Sequence, residues 1–142
     1  MKPSPRIAWL VRWLYLVAVV QSSALFAALM PDSWADACAE FMGVTPLPHT
    51  PLAGYLARLS SMMYVAHGAT LIIVARNMPQ SLFMVRPLGC VNSLLGCFML
   101  AIDLAEGMPI VWTWIEFTAL TANGVIMMVM ARRCETAEKN VM

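Results

Sequence analysis

Charge is what this sequence has least of. Only 12% of its 142 residues are Asp, Glu, Lys or Arg, where a soluble domain carries roughly 25%. The net charge of +1 offers neither a basic surface nor an acidic tail, so nucleic acid is not among the expected partners. Cysteine is also scarce, and Cys38, Cys90, Cys97 and Cys134 form no C-x-x-C pair, which argues against a thiol redox centre. Cys90 and Cys97, on one helix, would stand about 10 Å apart along its axis, too far for a disulfide. The sequence has no G-x-S-x-G, no H-E-x-x-H, no phosphate-binding glycine loop and no histidine cluster, so no catalytic set is named and no cofactor is expected.

What is present is apolar: hydrophobic residues make up 61% of the chain and the mean hydropathy is +0.72. A hydrocarbon core about 30 Å thick needs roughly 20 apolar residues per helix. Four segments qualify, at about 7–30, 52–75, 82–104 and 109–131. Turn signals separate them: PDSW at 31–34, TPLPHTP at 45–51, RNMPQS at 76–81 and AEGMP at 105–109. The expectation is an all-α, four-helix transmembrane bundle forming one domain over residues 1–142. Read as a cleaved signal peptide instead, the first span is too long and is interrupted by Arg12. It is expected to be retained.

Lys and Arg are absent from 31–50 and from 105–108. They gather instead at Lys2, Arg6 and Arg12, at Arg76 and Arg86, and at Arg132, Arg133 and Lys139. The positive-inside rule then predicts cytoplasmic N- and C-termini. Trp34, Trp112 and Trp114 fall at the outer boundary and Trp9 and Trp13 at the inner one, as an aromatic belt requires.

In the first outer loop, DSWADACAEFM (32–42) repeats its acids Asp32, Asp36 and Glu40 every four residues, with Trp34, Cys38 and Phe41 on another face. This predicts a short amphipathic helix at the outer interface, with Ser33 as its cap. It is read as an anchor for the loop, with a partner-binding surface as the alternative.

Two charges lie within the spans. Glu116 and Arg58 each enter from the outer side, about 10 Å below the start of their helices. Each charge alone costs about 2.5–3.5 kcal/mol near the centre of a bilayer, and less towards its edge. An ion pair between them would remove much of that cost, with Asp103 and Glu106 as competing partners for Arg58. Such a pair would fix helix register; alternatively, Glu116 would carry a proton or cation, as intramembrane carboxylates do in transporters.

The remaining polar residues read as packing groups. Trp112, Glu116, Ala119 and Asn123 form a stripe expected to face the bundle interior. Arg86, Gly89, Cys90, Ser93, Gly96 and Cys97 share an arc whose small residues suit close helix contact, and Pro87 should bend or delay the start of that span. His67 is the only histidine inside a span, and a hydrogen bond to it is expected rather than a copper or haem site. Gln21, Ser22 and Ser23 are read alike, and the thirteen methionines serve as flexible apolar filler.

YLAR (55–58), DLAEGMP (103–109) and WTWIE (112–116) together resemble a family of uncharacterised bacterial four-span integral membrane proteins. The likeness runs from the first Trp-rich span to Arg133 and sets Arg58 and Glu116 within its characteristic stretches. A weaker likeness is to DoxX-type four-helix membrane proteins. The resemblance implies a multi-pass protein of a bacterial inner membrane and no particular activity. The functional expectation is a non-enzymatic accessory or interaction subunit, partnered by lipid and by a membrane protein or further copies of itself. The alternatives are a small proton- or cation-coupled transporter using Glu116 and a redox or quinone-linked component.

Overall fold

The computed structural model describes residues 4–46 and 48–139; Lys2, Leu47 and the side chain of Lys139 lie outside the description. The described residues form six helices and no strand: α1 (Pro5–Ser22), α2 (Ala24–Leu29), α3 (Asp32–Phe41), α4 (Pro51–Arg76), α5 (Leu82–Glu106) and α6 (Ile110–Lys139). Four stretches are long and apolar enough to cross a membrane: Pro5–Leu29, Pro51–Arg76, Leu82–Glu106 and Ile110–Thr136. The protein is therefore all-helical and multi-pass, in agreement with the hydropathy. Large apolar side chains such as Trp9, Phe26, Phe83 and Phe98 turn outward along these helices, as surfaces that meet lipid or a protein partner do.

Local chemistry sets the helix ends. The first span is broken at Ser23, whose hydroxyl donates to the Val20 carbonyl at 2.6 Å; such back-bonding competes with the helical ladder. α3 starts two residues earlier than its expected cap allowed. Pro31 occupies the N-cap without a side-chain bond, Ser33 lies inside the helix, and Asp32 takes the first turn, where the helix dipole favours an acid. Gly43, at φ 73°, ends α3, with Val44 N–H donating to Ala39 O at 3.0 Å in the glycine-terminated C-cap. Thr50 caps α4 through Oγ1, which accepts from Ala53 N–H at 3.2 Å, and Pro51 fills the first helical position.

Pro87 does not delay α5. The helix begins five residues before it, at Leu82, and the missing proline N–H removes one donor to the Phe83 carbonyl. Gly107, at φ 68°, closes α5, and Met108 N–H reaches Asp103 O at 2.9 Å. α6 runs on to Lys139, past the apolar limit expected at 131. The residues ARRCETAEK (131–139) are mostly good helix formers, so the helix outlasts the hydropathy.

The chain packs as two compact units. One comprises Met1–Tyr15 and Ile73–Met142, the other Leu16–Ile72. In the first, α5 and α6 lie against each other along a seam. Its buried α5 positions are Leu82, Val85, Gly89, Asn92 and Gly96, alternating at three- and four-residue steps, and Asp103 two turns further on, the spacing that suits helices crossing at a shallow angle. A side chain added at Gly89 would stand 2.7 Å from the Gly124 carbonyl. The backbones meet because no Cβ separates them.

In the second unit, α1 and α4 approach through Gly68, where an added Cβ would lie 2.9 Å from the Ala18 carbonyl. Beside this contact, Gln21 Oε1 meets His67 Nδ1 at 2.5 Å.

Candidate functional site

The strongest concentration of polar side chains is in the second unit, between α3 and the start of α4. The Thr50–Pro51 cap fixes where α4 begins. Gly54, Tyr55 and Arg58 then fall on the side of its first two turns that lines a cleft of about 280 Å³. Across the cleft, the four-residue spacing of α3 brings Asp32 and Asp36 to one side. Arg58 Nη2 donates to Asp32 Oδ1 at 3.0 Å, and His49 Nε2 lies 3.2 Å from Asp36 Oδ2. The Arg58 and Asp32 side chains are 54% and 66% exposed. In water such a pair would contribute at most about 1 kcal/mol, so stability alone gives little reason for the arrangement.

Trp34 and Phe41, on the other face of α3, are exposed. An interfacial position would use them in this way.

The first unit holds the other candidate residues. Glu116 is half-buried, and its Oε2 accepts from Trp112 Nε1 at 3.1 Å. Arg58 and Glu116 thus belong to different units, each with a neighbour within its own. Asp103 is buried on the α5–α6 seam, and its Oδ2 has no hydrogen-bond partner among the described residues; the same holds for the buried Thr113 Oγ1. Glu106 is exposed at the end of α5. Asn123 is buried, and its Oδ1 accepts from Trp13 Nε1 at 3.1 Å.

The interior stripe of α6 differs from the expected one. Trp112 and Ala119 are exposed, and the buried positions are Thr113, Leu120, Asn123, Gly124, Met127, Ala131 and Cys134. Polar spacing pointed to one face, but Gly124 allows the closest backbone approach and turns its own side inward. On α5 the seam keeps Gly89, Ser93 and Gly96 from the expected arc, while Cys90 and Cys97 are exposed.

Three ion pairings among the described residues escaped the sequence reading. They are Asp32 with Arg58, Asp36 with His49, and Arg86 with Glu135 at 3.3 Å. The acid spacing in α3 carried the signal for the first two: Asp32 and Asp36 share a side of a helix whose loop leads straight into α4. Comparison of the chain with protein-family models, with curated proteins and with solved structures finds no match.

Proposed function

We propose that this protein is a non-enzymatic accessory or interaction subunit of a bacterial inner membrane, with cytoplasmic termini and residues 31–50 on the outer face. The glycine seam carries the reading. With Gly89, Gly96 and Gly124 at their contact, the α5 and α6 backbones approach closely, and a helix pair joined this way suits architecture better than passage. Glu116 also engages Trp112 within its own helix, as a carboxylate held in place would.

The full chain is tested in two ways. Reconstituted in liposomes with an internal pH dye, it should pass no more protons or sodium ions than empty liposomes, and Glu116→Gln should change nothing. Extracted in mild detergent, it should elute well above its monomer mass. Flux that Glu116→Gln abolishes would establish the transporter in its place, and elution as a bare monomer would remove the partner.

Orientation has its own measurement. Cys38 is exposed on α3. In a variant retaining only this thiol, a membrane-impermeant maleimide added to intact spheroplasts should label it fully. Labelling only after permeabilisation would invert the topology.

A further inference from the structure

The cleft of the second unit has both ionisable and apolar lining, and the accessory reading uses neither. Arg58, Asp32, Asp36 and His49 line it together with Ala27, Met30 and Ala57. At about 280 Å³, the space falls just below the roughly 300–1,000 Å³ of pockets that take whole small molecules. It suits a compact polar group on a short stem.

The charges narrow the choice further. One guanidinium stands among two carboxylates, so a simple anion meets repulsion from the aspartates and a simple cation meets it from Arg58. A zwitterion satisfies both signs. Of the five N–H donors of a guanidinium, the bond to Asp32 uses one, and the Arg58 side chain is half-exposed. A phosphate could therefore share it. With His49 at Asp36 Oδ2 and Arg58 at Asp32 Oδ1, the other carboxylate oxygen of each aspartate offers an acceptor to an ammonium, whose N–H groups match it.

Position supplies the ligand's source. The cleft lies at the first turns of α4, which is long and apolar enough to cross a membrane, at the level where phospholipid headgroups lie. Leu29 and Leu52, next in sequence to the lining residues Met30 and Pro51, are exposed and offer apolar surface to acyl chains. We propose that this cleft binds the phosphoethanolamine headgroup of a membrane lipid, with the phosphate on Arg58 and the primary ammonium on Asp36 and Asp32. The site is independent of the accessory role, since it would exist in a transporter as well.

The full chain, purified in detergent and exposed to matched phosphatidylethanolamine, phosphatidylcholine and phosphatidylglycerol, is assayed for retained lipid by native mass spectrometry. The ethanolamine lipid should be retained about tenfold more than either competitor, the difference that one charge-assisted hydrogen bond makes. The choline lipid cannot donate from its methylated nitrogen, and the glycerol lipid has no cation. Asp36→Asn should remove most of the preference, whereas Arg58→Gln should lower retention of all three lipids together, because each carries the phosphate.

Gly54→Leu is the decisive variant. A Cβ at Gly54 meets nothing within 4 Å, and Gly54 lines the cleft, so leucine there narrows it; leucine also suits a helix better than glycine. Lost preference in a chain with unchanged helical content and a thermal midpoint no lower than the parent's supports the site. Equal retention of the three lipids, or an unaltered preference in Gly54→Leu, overturns it. Displacement of the lipid by millimolar soluble phosphoethanolamine would overturn the lipid source and assign the cleft to a free zwitterion.

Discussion

Gly124→Leu should cost the protein more stability than any other single change on the α5–α6 seam. A Cβ built at this position falls on the Ser93 hydroxyl and the Gly89 carbonyl, and stands 2.7 Å from Ser93 N. Two of these three neighbours are backbone atoms, which cannot swing aside as a side-chain end can. Leucine therefore has to part the helices. Overpacking a core typically costs about 1–3 kcal/mol, and this site should reach or exceed the top of that range because van der Waals contact is what holds helices together in lipid. The measurement is the thermal midpoint of the detergent-solubilised chain, followed by helical circular dichroism. Gly54→Ala is the control: its Cβ meets open space, and removing a helical glycine should raise stability by about 0.5–1 kcal/mol. If both substitutions behaved alike, the seam would not be the contact that holds the first unit together.

The spans were legible in the sequence because the bilayer imposes a length that composition must meet. Helix ends marked by a residue with one dominant conformational preference were legible too, as at Gly107 and Pro51. The end of α6 was not, since hydropathy reports where lipid stops and the helix continues on residues that favour it in water. Gly89, Ser93 and Gly96 could be read as a contact surface from size alone. The facing side of α6 could not, because spacing places Asn123 on two candidate faces and only the partner helix decides between them. Depth along a span led to Arg58 and Glu116. It carried no information on how the loop before α4 returns α3, and so it could not find Asp32 or Asp36 beside Arg58 and His49. Trp13 and Asn123, 110 residues apart in the chain, illustrate the same limit: a contact so distant in sequence leaves no periodic trace.

Asp103→Asn should make the protein more stable, and the sign is the point. Asp103 is 4% exposed, and its Oδ2 lacks a hydrogen-bond partner among the described residues. A buried polar group left unpaired costs about 1–3 kcal/mol, and an amide is less costly to bury than an ionised carboxylate. The residue also sits in the last turn of α5, where the partial negative charge of the helix end disfavours an anion. Each effect favours asparagine, which keeps the shape of the side chain and so opens no cavity. A gain of roughly 1 kcal/mol, read as a higher thermal midpoint in detergent, is the expected result. A fall would mean that the carboxylate has company which stabilises it, and Asp103 would then belong to the architecture. If stability rises, the aspartate is a group the fold carries at a cost, and such groups persist where function requires them. Growth or membrane fitness of cells carrying Asp103→Asn in the native setting then separates the cases. A more stable but less fit variant would make the outer end of the α5–α6 seam a working part of the protein.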